Sequence, residues 1–492
     1  MDDAPEKSKS FSKRLQERIA ASRFLSISLL LHAIVVILGG SVVLFKAYVE
    51  PSDFEAAGGG LVGDEQAAAA PPEEMQEMAS EAFVQEQPTV NAPTMDVITT
   101  NNSLQTNFKM ASVPTPVKPL NTGDLTKTMT EAAKSAARGM AKGVPGSMAG
   151  RMGGTARASA MMKAGGKEKA EKAVMAGLRW LKQHQNEDGS WAEENRPAMT
   201  GFAILSFLGH GELPDSVEFG QTVKKGLDWL LAKGTEFQGR MSMTRDGWGG
   251  GNQGVYEHAI ATYAMCEYFS MTKDERFAEL VKQAVGYIVE GQAPDGGWQY
   301  SYAKGPNSDT SVSGWQIQAL KAAHLTGAGI PGVDEALDRA MLNLKRVQSE
   351  DGSFGYREPP GKYSLTGVGV LCTYFWKQEK DKGVRDGIEY MIRTTDDKFP
   401  VKYKGKDADL YAWYYNTQAC LMFGGSAWSK WNRWFQDEIA DAQSPDGSWP
   451  PVNSPAAGAE LQKKPDGAGP YYRTTLCILM LEVFYRYMPI NK

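Results

Sequence analysis

From about residue 168 to the C-terminus, apolar residues recur three and four positions apart, as at Val174, Leu178 and Leu181, and stop at short polar turns. That spacing predicts amphipathic helices. The turns share one pattern, Q-x-x-D-G-x-aromatic. It runs from Gln185 to Trp191, from Gln292 to Trp298, from Gln348 to Phe354 and from Gln443 to Trp449. A looser copy leads from Gln238 to Asp246, Gly247 and Trp248. The aromatic positions 191, 248, 298 and 354 are 57, 50 and 56 residues apart, and the next gap, to Trp449, is 95. Two periods fill that gap, so a degenerate copy is expected near Phe399 to Gly405, giving six units.

The turn chemistry is readable. Glycine after aspartate supplies the left-handed backbone that ends a helix or a tight turn. The glutamine can bond exposed helix-end groups, and the aromatic can wedge between neighbours. Units of two helices with a period near 50 bury their faces only against each other. The predicted fold class is therefore all-α, an α/α toroid of six helical hairpins over residues 166–492.

The N-terminal part has two other textures. Residues 24–45 are 22 consecutive residues without a formal charge. At about 1.5 Å per residue they span a hydrocarbon core of roughly 30 Å. Lys7, Lys9, Lys13, Arg14, Arg18 and Arg23 precede this run, and Glu50, Asp53 and Glu55 follow it. A transmembrane helix over 24–48 is expected, with the basic segment 1–23 in the cytoplasm and the remainder across an inner membrane, in a periplasmic or equivalent space. Residues 49–165 are rich in Ala, Gly, Pro and Met and poor in aromatics. They read as a flexible linker with a reach of roughly 60 Å. Met148, Met152, Met161 and Met162 are read as part of that solvated linker.

Composition narrows the picture only slightly. A net charge of −5 over 492 residues gives no electrostatic reason to expect nucleic acid as a partner. Cys266, Cys372, Cys420 and Cys477 sit in apolar stretches without a CxxC pair. They read as buried free thiols, and no metal or cofactor is expected.

The repeated turn resembles the QW motif of squalene-hopene and oxidosqualene cyclases and the repeats of protein prenyltransferase β subunits. In those families the helix after each turn lines a central cavity. The resemblance places six such starts near Arg196, Tyr256, Asp309, Tyr363, Asp409 and Tyr471. It implies an aromatic-walled pocket for an apolar or isoprenoid ligand, with Tyr256, Ser311, Trp315, Tyr363, Tyr411, Trp413, Tyr415, Tyr472 and Arg473 among the lining. The cyclase DxDD acid motif is reduced to Asp309, which is also a plausible helix cap. The prenyltransferase zinc set is lost, because Ser311 and Arg473 stand where Cys and His are expected. Gly251-Asn252-Gln253-Gly254 lacks the cysteine of the α2-macroglobulin-type thioester motif. His258, with Glu257 beside it, remains as an acid–base candidate. Ser28 and His32, four residues apart in the apolar run, resemble the anchor of TonB-type energy transducers, implying an ExbB/ExbD-like membrane partner. Two functions follow from these residues: a tethered binding or scaffold module, or a cyclase-like enzyme with Asp309 as its acid.

Overall fold

Helices that alternate between one apolar face and apolar surroundings on every side make up the folded region. The computed structural model of the protein describes residues 144–242, 253–376, 381–454 and 460–487. The apolar run with Ser28 and His32, the linker before residue 144 and the looser motif copy at Trp248 lie outside those residues. Among the described residues no helix is long and apolar enough to cross a membrane.

A 3-10 turn at Gly146–Arg151 and helix α1 (Gly154–Ala164) come first and stand outside the repeat. Six pairs follow. They are α2 (Glu168–Gln183) with α3 (Arg196–His210), α4 (Gly220–Glu236) with α5 (Gln253–Thr272), and α6 (Ala278–Gly291) with α7 (Thr310–Leu325). Then come α8 (Val333–Val347) with α9 (Tyr363–Phe375), α10 (Lys382–Asp397) with α11 (Leu410–Phe423), and α12 (Gly425–Asp441) with α14 (Gly469–Leu481). The one-turn α13 (Glu460–Lys463) lies in the last turn, and the four-residue α15 (Val483–Arg486) follows α14.

The two members of a pair differ in kind. Helix α8 buries Val333, Ala336, Leu337, Ala340, Leu344 and Val347 and exposes Asp334, Glu335, Arg339, Lys345 and Arg346. Helix α11 buries every residue from Leu410 to Leu421. A helix apolar on all sides needs neighbours on all sides. It has them: α3, α5, α7, α9, α11 and α14 touch in that order, and α14 touches α3 again. Each amphipathic helix lies outside this ring, across neighbouring inner helices.

The predicted turn chemistry builds the seams between units. Gln292 donates to the carbonyl of its own turn glycine, Gly296, and to that of Ala336 in the next outer helix, both at 2.7 Å. Gln185 does the same with Gly189 and Thr222, Gln348 with Gly352 and Gly383, and Gln443 with Gly447 and Ala173. The turn glycines have φ between 87° and 96°. A Cβ on any of them would overlap a backbone carbonyl of the adjoining outer helix, at Lys225, Arg339, Asp386 or Ala176. Trp191, Trp298 and Trp449 are fully buried, and each indole N–H donates to a carbonyl (of Leu181, Ile288 or Ile439) of the helix before it. In the degenerate fifth unit Tyr403 is buried instead, and its backbone N–H donates to Glu438 of the next outer helix at 2.8 Å.

The folded region begins earlier than the expected residue 166. The 3-10 turn and α1 pack on α15, and the turn also reaches α3. Met148 and Arg151 are fully buried and Met161 nearly so, while Met162 is exposed. No helical period marks this stretch, because its burial rests on a few isolated side chains. The four cysteines are free and buried, and burial raises each thiol above its ordinary range.

Gly296→Ala is expected to lower unfolding stability by about 2–4 kcal/mol, through the left-handed φ and the blocked seam, and Gln292→Ala by about 1–2 kcal/mol. Gly286→Ala, in open space on α6, is expected to be neutral or slightly stabilising. Chemical denaturation followed by tryptophan fluorescence checks the ranking.

Candidate functional site at the inner-helix N-terminal end

Asp309 caps α7 and is fully buried. Its Oδ1 accepts from the backbone N–H groups of Ser311 (2.7 Å) and Val312 (3.1 Å) and from the Ser311 hydroxyl (2.6 Å). Its Oδ2 is buried with no hydrogen-bond partner. The Ser311 hydroxyl also pairs with the Tyr256 hydroxyl of α5 at 2.8 Å. Lys362 stands near: burial lowers its ammonium pKa, against the opposing pull of Asp309. Tyr411 of α11 is close enough for the Asp309 charge to reach its phenol, which burial holds protonated. The Tyr411 hydroxyl finds no hydrogen-bonding partner of good geometry. Asp309, Ser311, Tyr256 and Tyr411 therefore converge at one end of the ring, where Asp309 Oδ2 has no hydrogen-bond partner.

Asp409 is the residue that sequence reasoning left out of the site. It caps α11 as Asp309 caps α7, accepting from Tyr411 and Ala412 N–H groups at 3.1 and 3.2 Å. Burial pushes its carboxyl up to about 6, against hydrogen bonds from those amides and from Gln462. The signal was present, since Asp409 stands one residue before an inner helix, as Asp309 does.

Several of the aromatics expected to line the pocket contact one another across the ring. Phe202 of α3 meets Trp315 of α7 edge-on, with centroids 5.2 Å apart, and Tyr472 of α14 at 5.8 Å. Trp315 stacks on Tyr414 of α11 at 5.6 Å and meets Tyr415 at the same distance. Helices α3 and α7 are separated by α5 in the ring, so these rings meet across its centre. The Tyr415 hydroxyl accepts from Gln318 at 3.0 Å, and Tyr411 packs on Tyr415 at 4.9 Å. Trp413 is buried with its indole N–H unpaired.

Other candidates are placed elsewhere. His258 Nδ1 accepts from the Met241 N–H at 3.0 Å and its Nε2 donates to the Ala284 carbonyl at 2.8 Å. Those partners fix a neutral Nε2–H tautomer that bridges to the outer layer, and burial pushes its pKa down to about 4. It is thus held as a strut, not poised as an acid or base. Glu257 is buried on the preceding position. Tyr363 pairs with Thr395 at 2.7 Å and packs on Phe399, within its seam. Arg473 donates to the carbonyls of Trp449, Leu461, Gln462 and Lys464, so it fastens the last turn and does not reach for a ligand. Among the described residues no group of three or more His, Cys, Asp or Glu side chains is placed to hold a metal ion.

No protein-family model matches the sequence, and no curated protein matches it. Solved structures with a similar course include a type II terpene cyclase from Scytonema, bound to geranylgeranyl dihydroxybenzoate, at 12% identity and a TM-score of 0.45. The match covers 64% of this chain and 97% of that one. A cellobiose 2-epimerase from Spirochaeta thermophila matches at 15% identity and 0.43, covering 67% and 98%. A glycoside hydrolase family 76 mannosidase from Bacteroides thetaiotaomicron matches at 10% and 0.41, covering 65% and 98%. At these scores the likenesses carry no functional argument, and the three proteins differ in their chemistry.

Asp409 and His258 give opposite pH dependences. A carboxyl raised from 3.8 to about 6 favours the folded state at low pH and loses that contribution as pH rises through 6. A histidine lowered from 6.5 to about 4 does the reverse, losing stability as pH falls from 6.5 toward 4. Each amounts to about 3 kcal/mol across its window and they nearly cancel. Relative to wild type, Asp409→Asn, which keeps the cap, is expected to grow less stable as pH falls from 6.5 to 4. His258→Gln is expected to grow less stable as pH rises from 4 to 6. Urea denaturation across that range reads both slopes.

Proposed function

We propose that the ring takes an apolar, isoprenoid-class ligand at the inner-helix N-terminal end, in the manner of the cyclases its turns resemble, with Asp309 as the acid. The observation that carries this is the Asp309 carboxyl. Three donors hold Oδ1 in place, and a buried polar atom without a partner is costly unless something occupies the space beside it. In its acid form an oxygen so placed can hand its proton to an alkene, and aromatic faces nearby can stabilise the cation that forms. Loss of a proton from the cyclised cation to the carboxylate or water restores the acid and the original mass. The six-hairpin toroid of the terpenoid-cyclase and prenyltransferase kind is part of the same proposal, supported by the closed order of inner helices and the four repeated seams.

A second reading, binding without chemistry, is favoured by the aromatic contacts across the centre. A long chain passing through the ring would have to displace the Phe202, Trp315 and Tyr414 contacts. In that reading the ring is a tethered cell-envelope module. Both readings include an inner-membrane anchor over residues 24–48 with its N-terminus cytoplasmic, and an ExbB/ExbD-like partner at Ser28 and His32. The support for these is the charge-free apolar run and the spacing of those two residues.

The full chain in detergent is incubated with squalene and with a linear polyprenol, and bound and released lipids are analysed by mass spectrometry. Acid chemistry predicts cyclic products of unchanged mass from the wild type, at least a hundredfold less from Asp309→Asn, and equal lipid binding by both. Binding by both with no conversion selects the second reading. No lipid retained by either protein sinks the ligand assignment.

A further inference from the structure

The opposite end of the ring, where the inner helices finish, holds a second cluster that neither reading uses. Glu267, near the end of α5, is fully buried, and its principal counter-ion arrives from outside the repeat. Arg151, in the 3-10 turn before α1, donates from Nη1 to Glu267 Oε2 at 2.6 Å and from Nε to the Arg486 carbonyl at 2.6 Å. Its guanidinium carbon lies 4.8 Å above the Tyr487 ring, and Met271 Sδ is 3.8 Å from Nη1. A carboxylate, a carbonyl, an aromatic face and a thioether thus contact one guanidinium through Nε, Nη1 and its face, while Nη2 is buried without a hydrogen-bond partner. The surroundings therefore address the shape of arginine and not merely positive charge. The Tyr487 hydroxyl also donates to Glu267, and Arg486 stands 3.8 Å from it.

Two further features separate this segment from the ring it closes. Gly211, with φ at 87°, leaves the gap through which the Arg151 backbone passes, because a Cβ there would overlap the Arg151 carbonyl. The rest of the attachment lies mostly in the 3-10 turn, which also buries Ser147, Met148 and Gly150, whereas α1 buries only Ala160 and Met161 of its eleven residues. Arg157 donates to the His210 carbonyl at 2.8 Å, and Trp428 donates to the Ala164 carbonyl at 2.9 Å. The closing contacts of the ring run through α3, α14, α2 and α12 and do not involve α1.

We propose that this end of the ring is a guanidinium-binding pocket, that Arg151 is its resident ligand supplied by the same chain, and that residues 146–164 form a plug able to leave without undoing the ring. Removing one partner of a buried ion pair leaves the other charge uncompensated, whereas removing both is often tolerated. The test is hydrogen–deuterium exchange by mass spectrometry on the full chain in detergent. In Arg151→Met, amides of 146–164 are expected to exchange at least a hundredfold faster than in wild type, while α3, α5, α7, α9, α11 and α14 keep their protection. The double variant Arg151→Met with Glu267→Gln guards against collapse of the single variant and is expected to show the same pattern. A fluorescent peptide spanning residues 144–165 is expected to bind Arg151→Met at least tenfold more tightly than a peptide with norleucine in place of the arginine. Unchanged exchange of 146–164 in both variants would falsify the plug, as would loss of protection throughout the ring in the double variant. Equal binding of the two peptides would overturn the arginine pocket.

Discussion

Gln443 donates from one amide nitrogen to the carbonyls of Gly447 and Ala173, which are 274 residues apart and belong to the last and first units. That nitrogen joins the ends of the ring, and the same pair of bonds recurs at Gln185, Gln292 and Gln348. Each bond alone contributes on the order of 1 kcal/mol. Their structural weight comes from where they sit. The amide can reach both carbonyls only while the turn glycine lies against the neighbouring outer helix, so the glycine contact and the glutamine bridge specify each other. The inner helices, buried on every side, have no stable alternative to the closed arrangement these seams define.

Much of this was legible along the chain because the seam is local on one side. Gln, Asp, Gly and the aromatic fall within seven residues, and their spacing alone counts the units, including the degraded one around Tyr403. A further repeated element was readable but unread. The backbone N–H groups of Trp191, Trp298, Phe354 and Trp449 donate to hydroxyls on their inner helices, those of Thr200, Ser313, Thr366 and Thr474. Aligning the repeats on the aromatic would have exposed that column.

The site was less legible, for two physical reasons. Whether Trp315, Tyr414 and Tyr472 line a space or fill it depends on the diameter of the ring and on rotamers, and the residue types are the same in both cases. Arg151 and Glu267 are 116 positions apart, and the arginine lies in a stretch whose composition resembles linker. Asp309 could be placed at a helix start from sequence. That one of its oxygens is engaged three times and the other not at all depends on packing from α5 and α11, which are distant in sequence. His258 shows the converse case, where a buried titratable side chain in a promising position turns out to be a neutral strut between two layers.

The common direction of the inner helices has an electrical consequence. Each is returned to its starting end by an outer helix, so all six point the same way, and the outer six point back at a larger radius. Peptide dipoles aligned in this manner place partial positive charge at one rim of the inner ring and partial negative charge at the other. The carboxyls of Asp309 and Asp409 cap the first rim, and at the second the guanidinium groups of Arg151 and Arg486 gather around the buried Glu267 carboxylate. The backbone of the inner ring is therefore polarised along its axis, with acceptor side chains at its positive rim and an arginine-rich cluster at its negative one. A structure repetitive in its units thus has two chemically unlike ends.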